Sequence, residues 1–336
     1  GSEMCIRDRR TLIREAMNVS SLEGMVRLVR AIIKLTLAFE LAGVIPIFAV
    51  FAQDYPPLKA LGLSVFHSIS SFNNAGIDIL GGGRSLAPYR DNVLLNLSTC
   101  FLIISGGIGF LVMVDVVKCR FRFRKFTLHS KVVVTTTAFL LAAGALLLKF
   151  TDPLSWLTAF FLSVSARTAG FATLDLGTLS NAGLFTILIL MFIGASSGST
   201  GGGIKVSRFL LLGKTLGKEL KQALHPQVVA PVRMDGKLVN HETIRTTNVF
   251  LAAYIFIFAA SFMLVSLDGF DMVTNFTSIA ATLNNIGPGL NQVGPMMNFG
   301  AYSNFAKLVL IFDMLAGRLE IFPMLVLFLP DAWRRF

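Results

Sequence analysis

Three stretches of similar composition decide the architecture of this chain: FHSISSFNNAGIDI at 66–79, SVSARTAGFATLDL at 163–176 and ATLNNIGPGL at 281–290. In each case an apolar or small-polar segment of 13 or 14 residues leads into a glycine, and the three segments lie at 60–73, 154–166 and 272–284. As a helix, such a segment reaches only about 20 Å, whereas the hydrocarbon of a bilayer is roughly 30 Å thick. We therefore predict three half-helices, each of which ends in a glycine turn.

The composition excludes a soluble enzyme. Hydrophobic residues make up 54% of the 336 residues and charged residues only 15%, against roughly 25% charged residues in an average soluble domain. The 30 phenylalanines exclude a disordered chain. The three cysteines, Cys5, Cys100 and Cys119, have neither the number nor the spacing of a disulfide framework or a metal site. The chain is therefore predicted to lie in a membrane.

Long apolar runs alternate with the half-helices. Four of them are uncharged, at 92–114, 132–148, 183–204 and 246–267, and two more, at 32–53 and 303–330, carry isolated charges. Because a spanning helix needs about 20 residues, these runs predict six spanning helices. The order of spanning helix, half-helix, glycine turn and spanning helix occurs three times, which predicts a tandem repeat.

The half-helices and their turns indicate an ion path. A helix that ends inside the membrane brings its partly negative C-terminal end and its free carbonyls to the bilayer centre, where they attract a cation. Non-helical backbone at that depth is tolerated only where it is buried in protein or lines a water-filled path. Amphipathic surface segments are the alternative for any single copy, but the threefold recurrence argues against them.

The charge distribution predicts the orientation. If the glycine turns lie outside, 23 of the 30 Lys and Arg residues fall on the inner side and five on the outer side, as the positive-inside rule requires. Cytoplasmic loops thus explain the net charge of +11 without nucleic acid as a partner. We expect a multi-pass membrane protein with its glycine turns outside. Its basic segments at 118–131 and 205–245 are then ordinary cytoplasmic loops or a docking site for a cytoplasmic regulator.

Five motifs together resemble the Trk/Ktr/HKT superfamily of cation transporters: the three stretches quoted above, MFIGASSGSTGGGIKVSRF at 191–209 and GRLEIFPMLVLFLPDAW at 317–333. The resemblance extends from about residue 11 to the last residue. It implies an all-α membrane protein of tandem M1–P–M2 repeats (helix, half-helix pore loop, helix) around a pseudo-fourfold pore that conducts K⁺ inward. It further implies a homodimer on a cytoplasmic, nucleotide-binding regulatory subunit, and no cofactor besides the transported K⁺ or Na⁺.

The resemblance assigns the selectivity filter to the glycine turns, that is, to Asn74, Ala75 and Gly76, to Thr168, Ala169 and Gly170, and to Asn285, Ile286 and Gly287. A glycine at this place goes with a preference for K⁺ in the superfamily. Because only three such turns are found, we expect the first of four repeats to be absent. Repeats two, three and four are then predicted at 31–118, 119–213 and 246–336, with a cytoplasmic insert at 214–245 and, at 1–30, a non-native start followed by a cytoplasmic connector.

The stretch GSTGGGIK at 198–205 interrupts an apolar run. It is not a phosphate-binding loop, because Ile204 separates the last glycine from Lys205 and Val206 follows. Close helix packing through small residues is one interpretation. The resemblance favours a flexible intramembrane loop that gates the pore, formed by Gly198, Ser199, Thr200, Gly201, Gly202 and Gly203, with Lys205 at its cytoplasmic exit.

Arg318 lies about halfway along the last apolar run. One interpretation is an ion pair with Asp313 or Glu320. The resemblance instead implies a position near the pore below the filter, where a fixed positive charge raises the barrier to cations. Three other polar residues are expected to be structural: Arg167 bracing its glycine turn through carbonyls, Glu40 paired or at a helix interface, and His67 packed rather than bound to a metal.

Two other functions stay open at this point. A Na⁺-selective or Na⁺/K⁺-coupled transporter of the same superfamily is the first, because the absent repeat contributes to selectivity. A membrane-embedded enzyme or assembly protein is the second, and it should show paired intramembrane His, Asp or Glu residues at catalytic spacing. The sequence has no such pair, so we expect a transporter rather than an enzyme.

Overall fold

The computed structural model describes residues 22–120, 122–225, 231–234, 237–319 and 321–327. Within these ranges the regular structure is helical apart from one hairpin, β1 (Arg233–Met234) with β2 (Lys237–Leu238). The α-helices are α1 (Leu22–Phe51), α2 (Pro57–Phe72), α3 (Val93–Ile108), α4 (Phe110–Lys118), α5 (Leu128–Thr151), α6 (Trp156–Ser165), α7 (Asn181–Phe192), α8 (Val206–Leu224), α9 (His241–Val265), α10 (Met272–Leu283), α11 (Asn304–Leu319) and α12 (Ile321–Leu327). The expected all-α fold class is confirmed.

Helices α2, α6 and α10 are the three half-helices, with 16, 10 and 12 residues. Their starts are encoded locally. Pro57 occupies the first position of α2, where a missing N–H costs nothing. Ser155 caps α6 by accepting from the backbone N–H of Thr158, and Asp271 caps α10 by accepting from that of Thr274.

The prediction of six spanning helices is wrong for the described residues. Three helical stretches are long and apolar enough to cross a membrane, Val29–Phe51, Leu128–Thr151 and His241–Asp268, and a fourth span is possible if α3 and α4, which meet at 99°, count as one. Helix α7 ends at Phe192 because a run rich in glycine, serine and threonine follows it. The last apolar run contains α11 and α12, on either side of residue 320.

The surface of the long helices is apolar enough to face lipid. Large apolar side chains there are exposed, among them Leu41 (67%), Ile45 (72%), Phe150 (83%) and Phe256 (74%). Exposed apolar area of this extent marks a membrane-facing or protein-facing surface. Together with the spanning helices, it fits a multi-pass membrane protein.

Buried side chains join each helix–half-helix–helix unit to the next. Ala169 and Phe171, at the second glycine turn, belong to the core cluster formed mainly by α1–α4. Ile286, in the third turn, belongs to the cluster formed mainly by α5–α7. The glycine turns therefore lie where neighbouring units meet.

The predicted unit boundaries stay predictions. Helices α1, α8 and α9 run without a break through the boundaries placed after residues 30, 213 and 245. The predicted non-native start and most of the connector lie outside the described residues.

Candidate ion-conduction site

The three glycine turns share one backbone pattern. In each turn the first and third residues have positive φ: Asn74 (50°) and Gly76 (64°), Thr168 (73°) and Gly170 (84°), Asn285 (54°) and Gly287 (109°). The middle residues Ala75, Ala169 and Ile286 do not. Such an alternation turns successive N–H groups to one side of the chain and hence their carbonyl oxygens to the other.

The glycine turns contact one another through their backbones. A Cβ on Gly76 would overlap the carbonyl oxygen of Ala169, and a Cβ on Gly170 would overlap that of Ile286. The first turn thus touches the second, and the second touches the third. At Gly287, by contrast, an added Cβ would meet no atom within 4 Å. The structure brings all nine predicted filter residues to one place and leaves one flank of the group open.

Local hydrogen bonds hold the turns to the ends of their half-helices. The backbone N–H groups of Ala75 and Ile286 donate to carbonyls five residues earlier, Ser70 (2.9 Å) and Ala281 (2.9 Å). In the second turn, the N–H of Gly170 donates to Ser165 (3.2 Å). The turns are therefore extensions of the C-terminal ends of the half-helices.

Strain and unpaired polar atoms mark the second and third turns. Thr168 is a β-branched residue at positive φ, which is a rare and costly conformation. Its hydroxyl and the amide nitrogen of Asn285 are buried, and neither has a hydrogen-bond partner within the described part of the chain. Orphaned groups and strain of this kind concentrate at functional sites.

The open flank is a groove of about 720 Å³ between the first and third turns. Asn74 and Ala75 line one side, and Asn285 and Gly287 line the other. Helix α11 contributes Leu310, Met314 and, at the far end, Arg318.

Residues 193–205, which we call the glycine-rich loop, form a closed loop between α7 and α8. Its two ends pair with each other: the N–H of Gly194 donates to Ile204 (3.0 Å) and that of Ala195 to Gly202 (3.1 Å). No residue of the loop is helical, so the interpretation as helix packing through small residues does not apply. The loop is also an ordered element, bonded at both ends, rather than a loose connection.

The glycine-rich loop passes against all three junctions between a half-helix and its glycine turn. The hydroxyl of Thr200 donates to the carbonyl of Phe72 at the end of α2 (3.0 Å). A Cβ on Gly201 would lie 2.6 Å from the hydroxyl oxygen of Thr168, and one on Gly202 would overlap the carbonyl oxygen of Asn284. Glycine is required here by close approach rather than by flexibility.

Three cationic side chains donate to carbonyls of the glycine-rich loop. Lys205 Nζ bonds Gly201 (2.8 Å), Arg318 Nη1 bonds Thr200, and Arg167 Nη2 bonds Gly194 (2.9 Å). The expectation that Arg167 braces its own glycine turn is wrong, because its bonds reach 27 residues along the chain to the loop instead. Arg318 also lines the groove between the first and third glycine turns.

Asp313, Glu40 and His67 each share a hydrogen bond with a residue of another segment. The buried Asp313 accepts from Ser261 Oγ (2.7 Å), and Glu320 lies outside the described residues. Glu40 Oε1 accepts from Asn73 Nδ2 (2.8 Å), which ties α1 to the first glycine turn. His67 shares a hydrogen bond with Thr99 (2.9 Å) and packs edge-on against Phe51 and at a tilt against Phe171, so it is a packed residue.

The kink between α3 and α4 is a feature that was not predicted from the sequence. Gly109 has φ 98° and separates the two helices. The available signal was the run GGIG at 106–109 inside the uncharged run 92–114, since glycine weakens helices. The kink contacts the glycine-rich loop through backbone hydrogen bonds.

This chain is similar in sequence to known cation transport proteins. The model of a cation transport protein family, TrkH, matches residues 9–155 and 131–334. The potassium/sodium uptake protein NtpJ of Enterococcus hirae is 31% identical over 355 residues, which cover 97% of this chain and 72% of that protein. The Trk system potassium uptake protein TrkH of Salmonella typhimurium is 42% identical over 180 residues, which cover 52% of this chain and 36% of that protein.

The fold agrees as well. The crystal structure of the potassium transporter TrkH from Vibrio parahaemolyticus matches 96% of this chain and 69% of that one, with a TM-score of 0.80 and 27% identity. All these relatives are named as transport or uptake proteins rather than enzymes. This chain belongs to the TrkH family of cation transport proteins, among the membrane subunits of Trk/Ktr potassium uptake systems.

Proposed function

We propose that this chain forms part of a pore for inward K⁺ transport, in which the three glycine turns supply the carbonyl oxygens of the selectivity filter. The observation that carries the proposal is the repeated alternation of positive φ, together with the carbonyls of Ala169 and Ile286 at the contacts between turns. Carbonyl oxygens arranged in this way replace the hydration shell of a cation. The C-terminal ends of α2, α6 and α10 add a favourable field for positive charge.

The groove on the open flank is the place that we assign to a fourth unit of the same kind. Two observations support this. The first and third turns face each other across about 720 Å³, and Gly287 lacks the contact that Gly76 and Gly170 both have. The matches also cover only 36–72% of the relatives' lengths, so these proteins contain unmatched residues that are available for such a unit.

The glycine-rich loop is the gate. It lies against the inner ends of the glycine turns, where it blocks the route from the filter to the cytoplasm. Lys205 and Arg318 hold the carbonyls of Gly201 and Thr200 with charged groups, and hydrogen bonds to charged groups are stronger than neutral ones. Opening must break these bonds.

The remaining features of the proposal follow from the resemblance and the charge distribution. The glycine turns face outward across a bacterial inner membrane, and the basic helix α8 lies in the cytoplasm. A homodimer and a nucleotide-binding regulatory subunit complete the system.

Na⁺ transport, or transport coupled to Na⁺, is the second candidate function. The observation that favours it is the name of NtpJ as a potassium/sodium uptake protein. Glycine in all three turns favours K⁺ instead, by the resemblance.

A selectivity measurement tests the filter. Gly170→Ser, in the full-length protein, places a side chain against the Ile286 carbonyl oxygen. We expect K⁺ uptake in a host that lacks its own K⁺ uptake systems to fall, and the ratio of K⁺ to Na⁺ uptake to fall with it. Gly62→Ala is the matched control, because its Cβ meets nothing within 4 Å. An unchanged ratio in Gly170→Ser would refute the filter assignment.

A reversible crosslink tests the gate. The hydroxyls of Ser197, in the loop, and Ser207, in α8, lie 3.3 Å apart, so a cysteine pair at these positions can form a disulfide after a small shift. With Cys5, Cys100 and Cys119 replaced by serine, oxidation should lower K⁺ uptake and a reductant should restore it. Each single cysteine variant is the control. K⁺ uptake that is the same in the oxidised and the reduced cysteine pair would show that this loop does not gate the pore.

A further inference from the structure

We propose that the kink between α3 and α4 is the latch that holds the glycine-rich loop across the pore, with Gly109 and the backbone N–H of Phe110 as its positioning groups. The proposal rests on the gating function proposed for the loop and adds a second, distant element that fixes its closed position.

The kink leaves backbone groups without helical partners inside the membrane. Helix α3 ends with carbonyls that no following turn can reach, and α4 begins with free N–H groups. Hydrocarbon offers such groups no partner.

The glycine-rich loop supplies the partners. The N–H groups of Ser196 and Thr200 donate to the carbonyls of Gly107 (3.1 Å) and Gly106 (3.2 Å), and the N–H of Phe110 donates to the carbonyl of Gly198 (2.9 Å). The loop thus donates two hydrogen bonds to the kink, and the kink donates one to the loop. All three of these bonds join backbone groups.

Glycines make this contact possible. A Cβ on Gly109, which has φ 98°, would lie 3.0 Å from the carbonyl oxygen of Ser197. A Cβ on Gly106 would overlap the Phe72 carbonyl oxygen, and one on Gly107 would lie 3.3 Å from Asn74 Nδ2. The latch therefore lies between the loop and the first glycine turn.

The glycine-rich loop cannot move away from the kink one hydrogen bond at a time. Each bond that it breaks with the kink exposes a backbone group in a region with few replacement partners, so the three bonds are expected to break together. Release then requires that water enters or that the kink itself changes.

A proline substitution isolates one latch bond. Phe110 is the first residue of α4, where proline is tolerated, and the ψ of 143° at Gly109 suits a residue before proline. Phe110→Pro removes the N–H and the ring, whereas the control Phe110→Ala removes only the ring. The variants are compared in a protein completed by the fourth unit and without the regulatory subunit. We expect K⁺ uptake by Phe110→Pro to exceed that of Phe110→Ala about fivefold, which corresponds to the free energy of one hydrogen bond.

Selectivity and hydrogen exchange separate a latch from a merely structural residue. The ratio of K⁺ to Na⁺ uptake should stay unchanged in Phe110→Pro, while amide exchange in residues 196–203 rises above that in Phe110→Ala. Equal uptake and equal exchange in the two variants would overturn the latch. If neither these variants nor the parent protein takes up K⁺, the proposed function fails, and the exchange comparison still decides the latch.

A second variant covers the case in which Phe110→Pro does not accumulate in the membrane. Gly109→Ala places a side chain at positive φ and against the loop, so it should raise both uptake and loop exchange, with Gly62→Ala as the control. A Gly109→Ala protein with the parent's uptake and exchange overturns the proposal.

Discussion

The two flanks of the group of three glycine turns differ in what surrounds their glycines. Gly76 and Gly170 are each pressed against the carbonyl oxygen of the next turn, whereas Gly287 borders an open groove. All three nevertheless have positive φ, and so does the first residue of each turn. The backbone of a glycine turn is therefore set by its own half-helix and sequence, and not by the closure of a ring.

The largest effect should come from closing the open flank. We expect this chain alone to give no K⁺ uptake in a host that lacks its own systems, because an ion would lose hydration oxygens on one side without replacement. Addition of an N-terminal helix–half-helix–helix unit should restore uptake. If the chain alone transports as well as the completed protein, the groove is not the place of a fourth unit.

The second prediction compares the loss of stability when a glycine on each flank is replaced by alanine. In the isolated chain, Gly170→Ala and Gly287→Ala should both cost about 1–2 kcal/mol of stability for the left-handed conformation. Only Gly170→Ala should add about 1–3 kcal/mol for the overlap with Ile286. Thermal unfolding in detergent measures the difference. In the completed protein the two variants should become equally harmful, and a persistent difference would argue against a unit beside Gly287.

A smaller effect concerns the attachment of the loop on the closed flank. Thr200→Val keeps the shape of the side chain but leaves the Phe72 carbonyl without its donor, at about 1 kcal/mol. We expect K⁺ uptake without an activating partner to rise by about fivefold, with Thr200→Ser as the control that keeps the hydroxyl. Equal uptake in the two variants would show that this bond does not hold the loop closed.

The smallest effect is a pH dependence that only the third half-helix should show. Hydrogen bonds from Thr274 hold the pKa of Asp271, at the start of α10, below its usual value, whereas the cap of α6 is the uncharged Ser155. The stabilisation is present above the unfolded pKa, about 3.9, and is lost as the pH falls through the lower folded value. Asp271→Asn should remove about 0.3–1 kcal/mol at neutral pH. Its unfolding temperature should then depend less on pH below about 4 than that of the parent.

The half-helices and their glycine turns could be predicted from the sequence because their causes are local. A short apolar segment, a cap such as Ser155 or Asp271, and a glycine four or five residues past the helix suffice to mark each unit. The family resemblance rests on the same local motifs.

The partners of the glycine-rich loop could not be predicted, because they are distant in the chain. Thr200 bonds a residue 128 positions away, and Arg318 bonds one 118 positions away. The breaks in the predicted spans 92–114 and 183–204 could not be placed for the same reason. Glycine weakens a helix at any position, but the hydrogen-bond partners that fix the site of a break are distant in the chain.

The kink also bears on how the protein is made. The partners of Gly106, Gly107 and Phe110 are synthesised about 90 residues after them, so at the time of insertion the bend has nothing to bond. A straight helix over 93–118 satisfies its own backbone in lipid and is the shape in which this segment should leave the insertion machinery. The bend is then a late event of biogenesis, completed only when the second unit has entered the membrane.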